Sequence, residues 1–252
     1  MGWFSKRKKH DDDATRAADA PGQAAEEEVE EDDPRWEQWA EARNAYWNGI
    51  GTLDDQVVAH LVSPEFMGAP PWPTTRQSYV ITRTDDTVIL ATDGMTDPFR
   101  DDSGPANGFG AEVYLESPAL VGANFNTIAG SWELGALQNF AANVADLGGI
   151  TGHLEQYGVV SMELPAPEGV PEHLVTPQGT IGILIGIEAP GRSAEVTLAP
   201  GEEIRMIPIT LITPAETAYI VSGGGAARGE LVEKLAEAGV GVVSDVNRQS
   251  VL

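Results

Sequence analysis

The sequence predicts an α+β fold, similar to an α/β sandwich, in which helices pack on one mixed β-sheet behind a disordered acidic N-terminal tail. Three observations lead to this prediction. Segments with the two-residue period of strands and segments with the helical period follow one another irregularly, which is typical of a mixed sheet. Hydrophobic residues make up 42% of the 252 residues, which is enough for a sizeable core. No internal repeat or second core divides residues 34–252, so we expect one domain there.

Residues 1–33 form the predicted tail. They carry 5 basic and 11 acidic side chains, and most of their apolar residues are alanine. Such a composition cannot bury enough apolar surface to offset the entropy of ordering. Trp3 and Phe4 stand beside the basic run Lys6–Lys9 and favour weak contact with an anionic membrane, but the acidic run that follows would be repelled by the same surface. We therefore expect no stable membrane insertion.

The net charge excludes some classes of protein. The chain has a formal charge of -24, and residues 34–252 alone hold 10 basic and 28 acidic side chains. The basic face that nucleic acid requires is therefore missing, and a cationic protein partner fits the charge better. The chain has no cysteine, which removes disulfides, thiolate nucleophiles and cysteine-ligated zinc. Because no segment has the apolar length of a membrane helix or signal peptide, we expect a cytoplasmic protein.

The domain begins with a predicted helix. Asp33 and Pro34 suit an N-cap and the first helical position, and Gly49 suits the end of the helix. The apolar residues in between recur at helical spacing and are interpreted as core: Trp36, Trp39, Ala40 and Trp47. A second helix is predicted around residues 54–62, and the proline-rich stretch MGAPPWP after it is an extended connector.

Three strands follow. The stretch SYVITRTDDTVILAT predicts a β-hairpin with Asp85 and Asp86 in its turn. The stretch FGAEVYLES alternates in polarity, which predicts a half-buried strand. Its two faces are Ala111, Val113 and Leu115 on one side and Glu112, Tyr114 and Glu116 on the other.

The next elements are a helix and three strands. Residues 131–147 have the clearest helical stripe, and two glycines end it. GVVSMEL and TIGILIGIE are strands, and in the second Gly182 and Gly186 clear one face for a closely packed helix. IRMIPITLIT is a strand whose Pro208 indicates an edge or a bulge, because proline has no amide proton to donate.

The chain is then predicted to end in two helices and a strand. Thr213, Pro214 and Glu216 form a capping box that begins one helix. The glycine-rich stretch SGGGAARGE lacks the lysine of a phosphate loop and is interpreted as a connector between helices. A second helix is expected over residues 229–238, supported by a pair between Glu230 and Lys234, and VGVVSD is the last predicted strand.

A candidate catalytic site lies in the loop between the second and third strands, residues 94–110, which we call the acidic loop. Its carboxylates and the one before it are Asp93, Asp97, Asp101 and Asp102. Carboxylates after a strand can hold magnesium, so a metal-dependent hydrolase using Asp93 and Asp97 is one hypothesis. No lysine lies between Lys9 and Lys234 to balance a phosphate, the spacing does not match an EF-hand, and the four histidines are scattered.

The same stretch carries a family resemblance. Gly94-Met95-Thr96-Asp97-Pro98-Phe99, then a polar loop and Gly108-Phe109-Gly110-Ala111-Glu112, resemble the signature of the Suppressor of Fused domain. The stretches TPQGTIGILIGI, PITLITPAE and SDVNRQSV follow in the family's order, and the resemblance covers Trp72–Leu252. It implies a protein-binding module and not an enzyme, with no catalytic, cofactor or metal residues.

The resemblance also implies a partner and a site. Bacterial domains of this type include immunity proteins that neutralise toxins, so a basic toxin or effector is an expected partner. The expected partner-binding residues are Asp97, Phe99, Asp101, Asp102, Phe109 and Glu112. Two alternatives stay open, namely that these residues serve turn geometry alone, and that the tail is the interaction element of a scaffold.

Overall fold

The structure is a computed structural model that describes residues 34–60, 62–99 and 107–252. These residues belong to one compact unit, Asp33–Leu252. The predicted tail, residues 1–33, and the N-cap expected at Asp33 lie outside the described residues. Within the described part of the chain, no helix has the length and apolar character needed to cross a membrane.

The described residues form five α-helices and nine β-strands. The helices are α1 Pro34–Asn48, α2 Phe125–Ala129, α3 Trp132–Asp146, α4 Thr151–Tyr157 and α5 Pro214–Glu237. The strands are β1 Thr52–Leu53, β2 Val58–Ala59, β3 Ser78–Arg83, β4 Val88–Asp93, β5 Ala111–Ser117, β6 Val160–Pro165, β7 Thr180–Ile185, β8 Glu195–Ala199 and β9 Glu202–Ile212. Short 3-10 turns lie at Pro64–Met67, Pro118–Leu120 and Glu172–Leu174.

The strands form one mixed sheet, as predicted. Its order is β1-β3-β4-β5-β9-β7-β6, with β2 added to β3 and β8 added to β9. The central pair, β5 and β9, is parallel, and the other described pairs are antiparallel. The parallel pair requires a long crossover between β5 and β9, and that crossover contains α2, α3 and α4.

Helices cover both faces of this sheet. On the first face, α3 packs on the strands through Leu134, Leu137, Phe140 and Val144. On the second face, Trp39 and Trp47 of α1 and the apolar side of β8 cover β3, β4 and β5. The β7 end of that face is covered by α5, through Ile220, Leu231 and Leu235. The sheet is therefore the middle layer of three.

Strand β5 differs from its prediction. Its side chains alternate between faces as expected, but all seven of its residues are buried. The polar face with Glu112 and Glu116 is covered because α1 and the loop before β8 pack over it. The half-buried assignment was wrong because alternating polarity reports the two faces of a strand and not whether the polar face meets solvent.

Several predicted elements are confirmed. Helix α1 ends one residue before Gly49, and the predicted hairpin is β3 paired with β4. Helix α3 begins after Ser131, whose hydroxyl oxygen accepts a hydrogen bond from the Leu134 amide at 3.3 Å. Helix α5 has the predicted capping box between Thr213 and Glu216.

Two predicted elements are wrong. Residues 54–60, the described part of the segment before residue 62, contain no helix, and β2 within them pairs with the outer edge of β3. Residues 240–245 form no strand, and a single bridge joins Val243 to Glu116 of β5. In both segments the local apolar pattern is short, so hydrogen bonding to a distant strand decided the conformation.

The two helices predicted near the end of the chain are present as two helical segments of α5 that meet at a kink. Helix α5 runs over 24 residues and is interrupted only at Gly224, whose backbone has φ 62° and ψ −143°. The expected connector is therefore a one-residue kink that glycine permits. The predicted pair between Glu230 and Lys234 is present at 3.8 Å.

Pro208 lies in the central strand and not at the edge of the sheet. One flank of β9 pairs with β8 up to Arg205 and with β7 from Ile209 onward, so Pro208 faces the gap between them. Its carbonyl oxygen accepts a hydrogen bond from the Gly186 amide at 2.9 Å. The missing amide proton therefore leaves no strand partner unsatisfied.

The expectation that a helix packs closely on Gly182 is confirmed. A Cβ at this position would lie 2.0 Å from the Thr217 Oγ1 atom of α5 and 2.9 Å from Ile212. Because helix and strand would have to separate, we expect Gly182→Ala to lower the free energy of unfolding by about 1–3 kcal/mol, measured by urea denaturation.

A matched control is Gly229→Ala in α5, where an added Cβ meets nothing within 4 Å. There the same substitution should raise the free energy of unfolding by about 0.5–1 kcal/mol through helix propensity. Equal effects of the two substitutions would show that the close approach at Gly182 does not limit packing.

Candidate functional site

The acidic loop leaves the sheet through a tight turn at the end of β4. Gly94 has φ 127°, and a Cβ there would lie 2.2 Å from the Arg76 carbonyl oxygen. The Asp97 amide donates to the Gly94 carbonyl oxygen at 3.3 Å, which closes the turn. The sequence Gly-Met-Thr-Asp therefore folds back against the sheet instead of extending into solvent.

The far end of the loop is held against this turn. The Phe109 amide donates to the Met95 carbonyl oxygen at 2.9 Å. Gly108 has φ 58°, and a Cβ there would lie 2.4 Å from the same oxygen. Both ends of the acidic loop are thus fixed. Glycine is required at position 108, where the two ends of the loop approach each other closely.

A buried arginine from α1 binds the base of the loop. The Arg43 side chain is 1% exposed. Its Nε donates to Asp93 Oδ1 at 2.7 Å, its Nη1 to Thr96 Oγ1 at 3.0 Å and its Nη2 to Asp97 Oδ1 at 2.9 Å. One guanidinium therefore joins helix α1, the end of β4 and the turn of the loop.

Glu112 of β5 completes this group from the other side. Its Oε1 accepts from the Gly94 amide, the Thr96 amide and the Thr96 hydroxyl at 3.1, 3.0 and 2.7 Å. Its Oε2 accepts from the Thr92 hydroxyl at 2.6 Å and lies away from the guanidinium, which approaches Oε1 at 3.7 Å. We call Arg43, Asp93, Thr96, Asp97 and Glu112 the Arg43 cluster.

Burial and charge pairing have opposite effects on the pKa values of the Arg43 cluster. Loss of hydration raises the pKa of Glu112 and of Asp97 above their usual values, although Arg43 opposes both shifts. For Arg43 itself, burial lowers the pKa, but the three carboxylates outweigh it and raise the pKa far above the ordinary value. Arg76 is half-exposed and lies 3.8 Å from Asp93 and 3.9 Å from Asp97, so it adds a weaker second cation.

The expected partner-binding residues have different positions in the structure. Asp97 and Glu112 are both 0% exposed, so neither forms part of the surface, and Arg43 binds Asp97 in the interior. Phe109 is buried, and its ring meets the partly buried ring of Phe99 edge-on, with centroids 5.7 Å apart. Asp101 and Asp102 lie outside the described residues. Contact of these residues with a partner stays a prediction.

Arg43, the residue that organises this site, was not predicted from the sequence. Arg43 stands seven residues after Trp36 and four after Trp39, so it lies on the apolar stripe of α1. An arginine at such a position requires a buried carboxylate partner. The helical spacing could therefore have indicated Arg43, but it could not have indicated which acids it binds.

Two further buried ion pairs link distant segments. Glu216, in the capping box of α5, accepts two hydrogen bonds from Arg248, with Nη1–Oε1 at 2.7 Å and Nη2–Oε2 at 2.5 Å. Its pKa is subject to burial, which acts to raise it, but the bonds from Arg248 and from two backbone amides outweigh this and lower it. Glu116 of β5 pairs with Arg192 at 2.7 Å.

An acidic groove lies beside the C-terminal base of the loop. It has a volume of about 390 Å³, and residues 107–110 form part of its lining. The exposed residues Glu155, Glu195 and Glu203 line it, and Arg205 also belongs to the lining. The Asn107 Nδ2 atom donates to the Glu203 carbonyl oxygen at 3.0 Å, which holds the groove against the loop.

The carboxylates of the hydrolase hypothesis are already bound to a cation. Arg43 occupies the space between Asp93 and Asp97, where a metal ion would have to lie. In the part of the chain that the structure describes, no group of three or more His, Cys, Asp or Glu side chains is arranged to hold a metal ion. The geometry therefore gives this hypothesis no support.

Comparison with known proteins gives one match. The family model described as Suppressor of fused protein (SUFU) matches residues 76–249, more than two thirds of the chain. No curated protein and no solved structure matches. The matched segment includes the acidic loop and the pair between Glu216 and Arg248, whereas α1 and Arg43 precede it.

Loss of the buried arginine should destabilise the fold. Arg43→Met leaves Asp93 and Asp97 buried without their principal cation, so we expect the free energy of unfolding to fall by about 3–5 kcal/mol, measured by urea denaturation. Addition of Asp93→Asn and Asp97→Asn should recover part of this loss. Arg228→Met, at a partly exposed arginine of α5, is the control and should change stability by less than about 0.5 kcal/mol.

The raised pKa of Glu112 predicts a pH dependence. The folded protein binds this proton more tightly than the unfolded chain, whose glutamate pKa is about 4.3. The stability from this group is fully present below about pH 4.3 and is lost as pH rises through the folded-state pKa. We expect the free energy of unfolding of the wild type minus that of Glu112→Gln to decrease from acid to neutral pH.

Glu216→Gln is the matched control, because the pKa of Glu216 is lowered. Its contribution to stability is present above about pH 4.3 and is lost as pH falls through the folded-state pKa, so the difference from wild type should increase from acid to neutral pH. If the wild-type minus variant difference in free energy of unfolding changed with pH in the same direction for both variants, the opposite pKa shifts assigned to Glu112 and Glu216 would be wrong.

Proposed function

The chain belongs to the Suppressor of fused protein family, and from this premise we propose that it is a protein-binding module without a catalytic role, whose partner is a basic protein. The observation that carries the proposal is the family match over residues 76–249, which includes the acidic loop and both of its flanking strands. Proteins of this family act by binding and regulating other proteins. The proposal that the partner is basic rests on the net negative charge of residues 34–252 and on the exposed carboxylates of the acidic groove.

The acidic loop is proposed as part of the binding surface. Its base is held by the Arg43 cluster, so a partner would meet a segment whose two ends have fixed positions. In this proposal Asp97 and Glu112 act from the interior, by fixing the loop, while Phe99, Asp101 and Asp102 act toward the partner. Preorganisation of this kind lowers the entropic cost of binding.

The acidic groove supports a basic partner. Glu155, Glu195 and Glu203 bring three exposed carboxylates to the C-terminal base of the loop. The formal charge of -18 on residues 34–252 would speed encounter with a cationic surface and would make binding sensitive to salt. A basic toxin or effector bound in the cytoplasm, by a protein of the immunity type, has this chemistry.

The proposal is tested by capture from the native cell lysate. The full-length chain, immobilised at low and at moderate salt, should retain a basic protein in stoichiometric amount that is released as salt rises. The purified partner is then titrated against variants. Glu195→Gln with Glu203→Gln should weaken binding and reduce its salt dependence, because two attractive charges are removed from the groove.

The matched control is Glu233→Gln with Glu237→Gln, which makes the same charge change at exposed positions of α5. A second pair, Asp101→Asn with Asp102→Asn, tests the loop itself. If both acidic pairs bind the partner as tightly as the control, with the same salt dependence, this surface is not the binding site. Capture of no basic protein at either salt would count against the proposed function.

A further inference from the structure

A second cleft lies between helix α1 and the segment that contains β1 and β2. We call it the α1 cleft, and its volume is about 640 Å³. Asn44 and Asn48 of α1 line one side, and residues 53–55, 57, 59 and 60 line the other. Arg76 and Asp93 also line it, so the Arg43 cluster borders this cleft. It shares none of its lining residues with the acidic groove.

The α1 cleft combines apolar and acidic lining. Leu53, Val57 and Val80 contribute apolar surface, while Asp55 and Asp93 contribute carboxylates. A long cationic side chain is complementary to this lining, since its methylene stem is apolar and its end is positively charged. The same lining suits a free metal ion less well, because a metal ion would have no use for the apolar surface.

The charge of the cleft lacks full compensation. Asp93, Asp97 and Glu112 lie within 4 Å of Arg43 or Arg76, which makes three carboxylates for two guanidiniums. Asp54 is bound to Arg83 at 2.8 Å.

Asp55 adds a further carboxylate. It is exposed and, within the described residues, has no ion pair. An additional cation is therefore favoured at the cleft.

The position of Arg76 shows which cation has the right shape. Its guanidinium lies at the cluster but 3.8–3.9 Å from the nearest carboxylate oxygens, beyond normal hydrogen-bond length, and its side chain is 41% exposed. A guanidinium already stands beside Asp93 without binding it closely. A second guanidinium could share this site or displace the first.

A polar side chain beside the cleft also lacks a partner. Gln77 is 6% exposed and lines the cleft, and among the described residues its Nε2 atom has no hydrogen-bond partner. A buried amide group without a partner costs about 1–3 kcal/mol. Since Nε2 is a donor, the group it fits is an acceptor such as a peptide carbonyl oxygen. A basic residue within a polypeptide supplies both the cation and the carbonyl.

We propose that the α1 cleft binds an arginine side chain of a partner polypeptide, with the guanidinium at Asp55 and Asp93 and a backbone carbonyl oxygen near Gln77. The proposal rests on the proposed function only for the source of the arginine, a bound protein. Most of the cleft lining, from Ala40 to Thr75, precedes the segment that the family model matches. The site would thus combine Asp55, which precedes the matched segment, with Gln77 and Asp93, which lie within it.

The test uses acetyl-arginine N-methylamide as the probe and the full-length protein. Two-dimensional NMR follows the side-chain amide signals of Asn44, Asn48 and Gln77, which all line the cleft. We expect saturable shifts of these signals. Acetyl-citrulline N-methylamide has nearly the same shape without the charge and should leave them in place.

Three variants are expected to change the affinity for the probe in different directions. Asp55→Asn should weaken binding of the probe about threefold, because it removes an attractive charge. Arg76→Gln should strengthen binding about threefold, because it removes a competing guanidinium. Asp146→Asn makes the same charge change as Asp55→Asn at an exposed residue of α3, on the opposite face of the sheet, and should leave the affinity unchanged.

Other outcomes overturn the proposal. It is wrong if the three amide signals do not shift, if the citrulline probe shifts them equally, or if Asp146→Asn weakens binding as much as Asp55→Asn. A stronger response to Nα-acetyl-lysine N-methylamide, whose side-chain ammonium is free, or to Ca²⁺ than to the arginine probe would show a general cation site instead. Failure of the lysate capture leaves these NMR outcomes unaffected, so failure of the proposed function and failure of this proposal are distinguishable.

Discussion

The buried guanidinium of Arg43 is the contact on which the arrangement of the site depends. It binds Asp93 at the end of β4 and Asp97 in the turn, and it approaches Glu112 of β5. Charges of this kind can be buried only if each is paired and hydrogen-bonded. If helix α1 left the second face of the sheet, three carboxylates would lose their principal cation. The same ion pairs give the acidic loop a fixed base, and Asp93 also lines the α1 cleft.

The residues that resemble the family signature serve the interior of the protein. Gly94 permits the turn, Thr96 and Glu112 bond to one another, and Asp97 binds Arg43. The later motif residues Glu216 and Arg248 likewise form a buried pair. The buried residues of the signature therefore stabilise the fold. In the proposed function, partner contact depends on Phe99 and on exposed residues of the acidic groove and the α1 cleft.

Much of the fold could be predicted from local pattern. The tryptophan stripe of α1, the β3–β4 hairpin and the capping box of α5 follow from periodicity, turn chemistry and capping preference, and the structure confirms them. The short elements α2, α4 and β8 were missed, because five to seven residues carry too little periodicity to be recognised. Residues 54–62 were assigned to a helix, although their backbone is used to complete the edge of β3.

The sequence by itself determined the class of the protein: an acidic α+β domain with a mixed sheet, no cysteine chemistry, and an acidic loop framed by glycines. It also predicted the close approach at Gly182, because a glycine in an isoleucine-rich strand leaves space on one face that a packed helix can fill. Only the tertiary structure decided that Asp97 and Glu112 face inward. Their exposure depends on Arg43, some 50 to 70 positions away in the chain, and a local pattern carries no record of which distant side chain neutralises a charge. Alternating polarity can assign a carboxylate to a face of β5, but burial of that face was settled by α1 packing over it.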